Sequence, residues 1–425
     1  MTPRPVRGTV TAPPSKSYTH RALVAGFLTG RNYHVHHPND SADTRATREG
    51  IRAWGASFEL RRNGWSMSRE SPRRSHFATA EVDCGSSGTS MRLLTALAAM
   101  RPAPTRFRGS LELARRPIAA LLDALHHRGA RILGPPRGRA LPFTIRGPVR
   151  SGAYTIPANI SSQFVSGLLF LLPTLAGGSR LRLTGPVVST PYIDATLAVL
   201  RAHGIRADPT VNGFDVPGDQ QYVGRQFFVP GDASSAAYFW VAAAISGGDV
   251  TVSSLDPRWP QADRVILSVL SRMGARVATR GRRVTVRGPI RRAFDVDVTS
   301  APDLYPLLAL LGAFAPGGTS RIRGGPHARW KESDRHLTGA ALARAFGARV
   351  RPRAGGLEIR PGPRPASIHL AHLRDHRVVM SAAVGAIALG RPSRLGDAES
   401  VNKSYQGFWG ALQSLGGELA SDRAR

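Results

Sequence analysis

The stretch VLRAHGIRA (199–207) ends an amphipathic helix at Gly204 and leads directly into an apolar residue. A glycine suits this place because the residue after a helix end often adopts a left-handed conformation, in which a β-carbon is costly. The same pattern recurs, at intervals of 69 to 75 residues, in GIRAWGASF (50–58), ALHHRGARI (124–132), VLSRMGARV (269–277), LARAFGARV (342–350) and ALQSLGGEL (411–419). We therefore predict six repeated units in which a helix is followed by a strand.

Four copies of the pattern continue as two short alternating runs on either side of a turn. They are FELRRNGWSM (58–67), RADPTVNGFDV (206–216), RVATRGRRVTV (276–286) and RVRPRAGGLEI (349–359). These runs predict β-hairpins, in which the many arginines lie on solvated faces. Asn63-Gly64 and Asn212-Gly213 are typical of type I′ turns with positive φ at both central residues, and Gly355-Gly356 is compatible with one.

The six units account for nearly all of the 425 residues. Units this long favour closed domains over an open solenoid, whose repeats are mostly about 20–50 residues. We predict two similar domains of three units each, joined near 225–231.

Basic residues are in excess along the whole chain, since 58 Lys and Arg against 28 Asp and Glu give a net charge of +30. Nucleic-acid-binding proteins usually cluster such charge, so a uniform excess favours a compositional bias. The single cysteine, Cys84, excludes an intrachain disulfide and fits a reducing compartment. The first residues do not resemble a signal peptide, and the apolar stretches 164–176 and 236–245 predict buried helices rather than membrane spans. We expect a cytoplasmic protein.

Lysine is rare, because only Lys16, Lys331 and Lys403 are found among the 58 basic residues. Arginine is planar and permanently charged, whereas lysine is compact and can transfer protons. Because the chain uses arginine at nearly all its other basic positions, the three positions that keep lysine are candidate functional sites. The alternative is that these lysines survive on the surface by chance.

Three segments place polar or glycine residues just before an apolar helix: PPSKSYTHRAL (13–23), DCGSSGTSMRLL (83–94) and NISSQFVSGLLF (159–170). Helix starts of this kind bind anions through their unpaired backbone N–H groups and the helix dipole. Each segment alone is equally compatible with an ordinary capped helix. Together they favour an anionic ligand.

Carboxylates and cations occur together in the second half of the chain. Lys331, Glu332 and Arg335 lie within five positions, Asp303 begins another helix, and Arg377 follows Asp375-His376. Solvated ion pairs are the simplest interpretation of such charge runs. The functional alternative is a site that binds phosphate and carboxylate groups and moves protons. The histidines lack metal-ligand spacing, and no nucleotide-binding fingerprint is found, so we expect neither a metal nor a cofactor.

The order of these motifs along the whole chain resembles the 5-enolpyruvylshikimate-3-phosphate synthase family. The matching segments are PPSKSYTHRAL, GSSGTSMRLL, RRPIAALLDAL, ISSQFVSGLLF, STPYIDATL, GDASSAAYF, APDLYPLL, KESDR, DHRVVMSAAV and VNKSY. The resemblance implies an α/β protein with the two-domain enolpyruvyl-transferase fold, each domain a pseudo-threefold array of repeated α/β units. Domain I would comprise 1–13 and 231–425, with the phosphoenolpyruvate side and catalytic carboxylates, and domain II would comprise 14–230, mainly with the shikimate 3-phosphate side.

The resemblance also implies a reaction, in which phosphoenolpyruvate adds to the 5-hydroxyl of shikimate 3-phosphate and phosphate leaves after a tetrahedral intermediate. For shikimate 3-phosphate it implies Lys16, Ser17, Arg21, Ser161, Ser162, Gln163, Ser189, Tyr192, Asp303 and Lys331. For phosphoenolpyruvate it implies Lys16, Gly88, Arg116, Gln163, Arg335, Arg377 and Lys403. We predict that Glu332 exchanges a proton at carbon, Asp303 acts on the hydroxyl, and Lys16 holds phosphate and donates a proton.

The family also implies a monomer that closes its two domains on shikimate 3-phosphate. Ser86, Thr190 and His327 differ from residues common in the family, so we expect the polar contacts at these positions to differ from those of other members. The nearer alternative is a UDP-N-acetylglucosamine enolpyruvyl transferase, but Cys84 does not match its reactive loop cysteine. A second alternative is a non-catalytic, basic nucleic-acid-binding protein, which would explain the charge but not the order of the motifs.

Overall fold

A computed structural model describes residues 5–69, 79–135 and 139–418 of the chain. The chain divides into two compact units: one combines Met1–Pro13 with Pro230–Arg425, and the other is Pro14–Val229. We refer to them as the discontinuous unit and the central unit. The boundary lies one residue earlier than the sequence suggested, because Pro230 belongs to the discontinuous unit.

One repeated arrangement builds both units: strand, helix, parallel strand, helix, and then an antiparallel hairpin. In the copy at Ala153–Val216, the strand Ser179–Thr184 pairs in parallel with Ala153–Pro157 and antiparallel with Gly213–Val216. A parallel pair needs a crossover connection, which the helix Ser162–Leu171 supplies. Each repeat therefore places a helix N-terminus directly after the carboxyl end of a strand.

Within the described ranges 14–69, 79–135 and 139–229, the central unit contains three four-stranded sheets. In sheet order, their strands are Gln226–Phe228, Tyr33–His36, Gly64–Arg69 and Ala56–Arg61; Ala80–Asp83, Thr105–Arg108, Phe143–Arg146 and Arg131–Leu133; and Ala153–Pro157, Ser179–Thr184, Gly213–Val216 and Asp208–Thr210. The α-helices are Lys16–Leu28, Ala42–Arg52, Gly88–Ala98, Ala119–His126, Ser162–Leu171 and Thr190–Ala202.

The part of the discontinuous unit that the structure describes, 5–13 and 230–418, repeats this plan with two four-stranded sheets and one parallel pair. In sheet order, the strands are Arg7–Thr11, Asp249–Ser253, Arg283–Arg287 and Arg276–Arg280; Asp295–Asp297, Ser320–Arg323, Gly356–Arg360 and Arg349–Arg353; and Ile368–Leu370 with Ser393–Leu395. The α-helices are Ala233–Ser246, Val265–Arg272, Tyr305–Phe314, Arg335–Ala345, His376–Leu389 and Phe408–Ser414. A hairpin after the sixth copy would extend beyond residue 418, outside the described residues.

The first unit is discontinuous because its first strand precedes the central unit in sequence. Arg7–Thr11 precedes the helix Lys16–Leu28 in sequence, but it pairs in parallel with Asp249–Ser253. Gln226–Phe228 in turn pairs in parallel with Tyr33–His36. In the central unit, one sheet thus contains strands from both ends of 14–229. In the discontinuous unit, one sheet contains a strand that precedes the central unit and three that follow it, so the chain passes between the units twice.

The glycines of the repeated pattern end helices as predicted. Gly55, Gly129, Gly204, Gly274, Gly347 and Gly416 all have positive φ, between 73° and 111°. The four predicted hairpins are also confirmed, but in the two that contain Asn-Gly the turn lies one residue earlier than expected. Arg61 pairs with Gly64 and Thr210 with Gly213, so both glycines begin the second strand.

Close packing of neighbouring strands explains why Gly64 and Gly213 are glycine. A β-carbon at Gly64 would lie 2.0 Å from the carbonyl oxygen of Val35, and one at Gly213 would lie 1.9 Å from that of Leu181. The prediction that the Asn-Gly pairs form the centres of type I′ turns is therefore wrong. Glycine is needed at these positions because the backbone of the adjacent strand lies too close for a β-carbon.

The stretch 236–245 lies within the helix Ala233–Ser246, as predicted. The stretch 164–176 is helical only in part: the α-helix ends at Leu171, the 3-10 helix Leu172–Thr174 with its Pro173 follows, and the last two residues are not helical. In the discontinuous unit, the helices Ala233–Ser246, Tyr305–Phe314 and His376–Leu389 are buried on almost every side and form its core. Among the described residues, none of the helices has the length and apolar character needed to span a membrane.

Candidate active site

The first lysine lies at a helix start in the central unit. The helix begins at Lys16, and the Ser15 hydroxyl makes no capping hydrogen bond. Lys16 Nζ is 2.8 Å from Asp43 Oδ2, and only 5% of the Asp43 side chain is exposed. An almost buried carboxylate therefore holds the ammonium group of the first residue of this helix.

Arg21 lies one turn further along the same helix and is 3% exposed. It donates to the carbonyl oxygens of Ser17 and Tyr192, at 2.9 and 2.8 Å, and to Thr196 Oγ1 at 2.9 Å. Burial lowers the pKa of this guanidinium to about 10, so it remains charged at neutral pH. The structure thus brings together Ser17, Arg21 and Tyr192, which the resemblance implied for shikimate 3-phosphate.

Gly88 begins the helix Gly88–Ala98, and Ser87 caps it by accepting a hydrogen bond from the Ser90 N–H at 3.1 Å. A β-carbon at Gly88 would lie 2.7 Å from Arg116 Cζ. The Arg116 guanidinium therefore rests against the open backbone of this helix start. Two residues implied for phosphoenolpyruvate are in contact here.

The helix Ser162–Leu171 supplies the third polar helix start. Ser161 caps it by accepting from the Gln163 N–H at 3.3 Å, and Gln163 Nε2 donates to Thr89 Oγ1 at 2.9 Å. The segment is therefore linked to the helix that begins at Gly88. Ser189 occupies the N-cap position of the next helix in a left-handed conformation with φ of 56°, without a side-chain capping hydrogen bond, and is 3% exposed.

Asp303 is the centre of a charge cluster in the discontinuous unit. Arg335 Nη1 and Arg377 Nη2 donate to its two carboxylate oxygens, the latter at 2.8 Å, and Lys331 Nζ lies 3.3 Å from Oδ1. Three cations predicted to bind substrates thus converge on one predicted proton acceptor. The hypothesis of solvated ion pairs is wrong for this cluster, since Arg335 is 1% exposed.

Asp375 and Glu332 complete the surroundings of Arg335. Arg335 Nη2 donates to Glu332 Oε2 at 2.7 Å, and Arg335 Nε lies 3.3 Å from Asp375 Oδ2. Asp375 is fully buried, accepts from Ser333 Oγ at 2.7 Å, and caps the helix His376–Leu389 by accepting from the Arg377 N–H at 2.9 Å. One carboxylate therefore fixes both Arg335 and the helix that carries Arg377.

The cluster shifts the acidity of its members in opposite directions. Burial raises the pKa of Asp303, but the nearby cations, Arg377 foremost, outweigh burial and hold this pKa well below its usual range. Burial likewise lowers the pKa of Arg335, whereas Asp375, Asp303 and Glu332 raise it to a larger total extent. Both groups are therefore charged at neutral pH.

Asp263 is a further buried carboxyl near this cluster. It lies in the short 3-10 helix Ala262–Arg264, is 1% exposed, and accepts a hydrogen bond from Ser234 Oγ. Burial, followed by the negative charge of Asp303, raises its pKa to about 7. Two neighbouring carboxyl groups therefore have pKa values that differ widely.

Lys403 ends the 3-10 helix Ala398–Lys403, which packs against the helix His376–Leu389.

His327 is 4% exposed, and burial lowers its pKa to about 4, so its imidazole is neutral. Within the ranges that the structure covers, no group of three or more His, Cys, Asp or Glu side chains could hold a metal ion.

Sequence reasoning found the charged residues of both units but missed several of their partners. Asp43, Arg92, Asp263 and Asp375 were not assigned a role, although each contacts or lies near a predicted site residue. Asp375 could have been noticed as the cap before an apolar helix. Nothing in the local sequence marks the other three.

The fold is shared with solved enolpyruvyl transferases. EPSP synthase from Acinetobacter baumannii is 25% identical, with a TM-score of 0.77 over 97% of this chain and 96% of that chain. The enolpyruvyl transferase NikO from Streptomyces tendae is 18% identical, with a TM-score of 0.75 over 98% and 96% of the two chains. The class of protein is thus an α/β transferase with the enolpyruvyl-transferase fold.

The family model for EPSP synthase (3-phosphoshikimate 1-carboxyvinyltransferase) matches residues 1–412, and this chain belongs to that family. The 3-phosphoshikimate 1-carboxyvinyltransferase of Methanocorpusculum labreanum is 35% identical over 98% of both chains. That of Halobacterium salinarum is 38% identical, again over 98% of both. The chain is a transferase of the shikimate pathway that moves the enolpyruvyl group of phosphoenolpyruvate to the 5-hydroxyl of shikimate 3-phosphate.

Proposed function

We propose that this chain carries out the transfer with Asp303, Glu332 and Lys16 as its catalytic residues. The observation that carries the proposal is the convergence of Lys331, Arg335 and Arg377 on Asp303. Arginine forks and ammonium groups suit the phosphate and carboxylate groups that both substrates carry. The carboxylate of Asp303, whose side chain is 15% exposed, can accept the proton of the attacking hydroxyl.

The low pKa of Asp303 makes it a weak base while the three cations neutralise it. Substrate anions that bind Lys331, Arg335 and Arg377 would compete with Asp303 for these cations. Loss of opposite charge raises the pKa of a carboxylate, because its ionised form is then stabilised less. Binding of the substrates therefore increases the basicity of Asp303 at the moment when the hydroxyl must lose its proton.

We assign Glu332 to proton exchange at the methylene carbon of phosphoenolpyruvate and Lys16 to the phosphate and its proton. Glu332 is held by Arg335 at 2.7 Å, and Lys16 by Asp43 at 2.8 Å. Each reacting group thus has an oppositely charged partner that fixes its position. The addition delivers a proton to carbon and removes one from the hydroxyl, and the elimination reverses the transfer at carbon and releases phosphate.

We assign the other substrate contacts to the remaining residues that the family resemblance implies. For shikimate 3-phosphate these are Ser17, Arg21, Ser161, Ser162, Gln163, Ser189, Tyr192 and Lys331. For phosphoenolpyruvate they are Gly88, Arg116, Gln163, Arg335, Arg377 and Lys403. The contacts of Arg21 with Ser17 and Tyr192, and of Arg116 with Gly88, support this assignment.

Phosphate release tests the proposal when measured with both substrates and with each alone. We expect release only with both, and a loss of roughly 10²- to 10⁴-fold in kcat for Asp303→Asn, because a proton-transferring group is removed. Asp295→Asn is the matched control, since Asp295 is a carboxylate of the same unit that pairs with Arg323 on the surface. Equal rates for the two variants would contradict the assignment of Asp303.

We further propose that the protein acts as a monomer in the cytoplasm. Both substrates are phosphorylated anions that do not cross membranes unaided, so the enzyme must work where they are made. Light scattering after size-exclusion chromatography measures the oligomeric state. A stable dimer at micromolar concentration would contradict the monomer.

A further inference from the structure

Arg92 is a buried arginine that joins two segments of the central unit. It lies in the helix Gly88–Ala98 and is 2% exposed. Its Nη1 donates to Gln163 Oε1 at 2.6 Å, and its Nε and Nη2 donate to the carbonyl oxygen of Pro117 at 3.2 and 2.8 Å. One guanidinium thus holds a side chain from one segment and the backbone of another.

Both acceptors are directly linked to residues that the proposed function assigns to substrates. Gln163 is itself one of them, and its amide nitrogen is fixed on Thr89 Oγ1, so both ends of the amide are held. Pro117 follows Arg116, whose guanidinium rests against Gly88. Arg92 therefore fixes the amide of Gln163 and the main chain from which Arg116 projects.

The cost of burying this charge indicates that the arrangement is specific. An arginine without partners is expensive to remove from water, and satisfied donors offset that cost. Here three guanidinium donors point at oxygens, and the group also lies 5.3 Å from the ring centroid of Phe164. Lysine could not reproduce this, because a single ammonium cannot donate in the planar fork that reaches both acceptors.

We propose that Arg92 is a positioning residue for phosphoenolpyruvate, acting through Gln163 and through the backbone at Pro117. The proposal rests on the proposed function, which assigns Gln163 and Arg116 to this substrate. Arg92 orients the amide of Gln163 so that its oxygen faces the guanidinium and its nitrogen faces Thr89. It also sets the direction in which Arg116 leaves the main chain.

Arg101 offers a matched control in the same unit. It is 5% exposed, donates to Thr105 Oγ1 at 2.8 Å, and lies 5.6 Å from the ring centroid of Trp54. It is thus a second buried arginine with a hydrogen bond and a ring contact, and neither contact reaches a residue of the proposed site. Replacing it removes comparable burial and charge without disturbing Gln163 or Arg116.

The experiment compares Arg92→Met, Arg92→Lys, Arg101→Met, Gln163→Ala and Arg116→Met by steady-state phosphate release and thermal unfolding. We expect Arg92→Met to lower kcat/KM for phosphoenolpyruvate about 10²-fold, the scale of a misplacement near 1 Å, with most of the loss in KM. Arg92→Lys should lose less but should not restore normal KM. Arg101→Met should shift the unfolding midpoint to a similar extent and leave KM unchanged.

A double variant separates positioning from general stability. Arg92→Met combined with Gln163→Ala should lose at least about 3-fold less than the product of the single losses, because both changes break one contact. Arg101→Met combined with Gln163→Ala should give the simple product. If Arg92→Met does not fold, Arg92→Lys with Gln163→Ala provides the same comparison.

The outcomes distinguish this inference from the proposed function. Normal kinetics in Gln163→Ala and Arg116→Met would contradict the proposed substrate contacts themselves. Two other results would overturn only the role of Arg92, provided that Gln163→Ala and Arg116→Met reduce activity. One is a normal KM in both Arg92→Lys and Arg92→Met. The other is a loss in both double variants that equals the product of the single losses.

Discussion

Lys16 and Asp43 form an ion pair of 2.8 Å in which the Asp43 side chain is 5% exposed and the Lys16 side chain is 16% exposed. Lys16 comes from the first residue of one helix and Asp43 from the first turn of the next. The pair thus joins two helix starts of the first repeat. The carboxylate of Asp43 thus fixes the position of the Lys16 ammonium group.

The first prediction concerns Lys16→Arg. The guanidinium is larger and planar and does not readily release a proton, so the change should keep the charge beside Asp43 but lower kcat by roughly 10²-fold or more. Steady-state phosphate release measures this. Arg45→Lys is the control, since Arg45 forms an exposed pair of 2.7 Å with Asp40 and should tolerate exchange. Near-normal turnover of Lys16→Arg would contradict a special role for lysine.

The second prediction concerns Gly88→Ala. The new β-carbon would lie 2.7 Å from Arg116 Cζ and 2.9 Å from both terminal nitrogens, so the guanidinium must move. The end of an arginine side chain moves easily, and we expect little change in thermal stability but a rise in KM for phosphoenolpyruvate of about 10-fold, equivalent to about 1.4 kcal/mol.

Gly410→Ala is the control for this change. Gly410 lies within the helix Phe408–Ser414, and a β-carbon there would have no heavy atom within 4 Å. This substitution should slightly stabilise the protein through helix propensity and leave both KM values unchanged. An unaltered KM in Gly88→Ala would show that the contact between Gly88 and Arg116 has no part in substrate binding.

The third prediction concerns Asp375→Ala. This change removes a fully buried carboxylate that accepts hydrogen bonds from Arg335, Ser333 and the Arg377 N–H. Removing one partner of a buried ion pair costs about 3–5 kcal/mol. Arg335 keeps Asp303 and Glu332 but loses its third carboxylate, and Ser333 Oγ and the Arg377 N–H lose an acceptor. Urea unfolding should show a loss of this size, whereas Asp295→Ala, at an exposed pair, should cost less than about 1 kcal/mol. Similar losses in both variants would contradict the structural role of Asp375.

The sequence was sufficient for the repeated plan because its signals are local. The six glycines end helices and recur at nearly constant intervals, so Gly55 and its equivalents predicted the units and their hairpins. The predicted hairpin turns were misplaced by one residue because Gly64 is required by the close carbonyl oxygen of Val35, which lies on another strand, and not by the turn. A close approach of this kind cannot be read from the turn itself.

The site could be predicted only where residue type carried the signal. Rare lysines and clustered carboxylates pointed to Lys16, Asp303 and Glu332. Arg92 was hidden among 58 basic residues, and its acceptor Gln163 is 71 positions away. Such partners come together only when the repeats pack against one another, so no sequence pattern within a single repeat predicts them.

The fourth prediction concerns the pH dependence of stability. Burial and the charge of Asp303 raise the pKa of Asp263 from its ordinary value of 3.8 to about 7. The folded protein therefore binds this proton more tightly than the unfolded chain does. The stabilisation is fully present below pH 3.8 and is lost as the pH rises through about 7, so Asp263 should make the free energy of unfolding fall between these values.

Asp263→Asn tests this contribution because the amide stays neutral at every pH. Urea unfolding at several pH values between 4 and 8 should show a smaller decrease in the free energy of unfolding for the variant than for the unmodified protein. Asp295→Asn is again the control, because Asp295 is exposed and pairs with Arg323. If Asp263→Asn and the unmodified protein have the same pH dependence, then Asp263 is ionised across the range and the charges of Arg377 and Lys331 outweigh its burial.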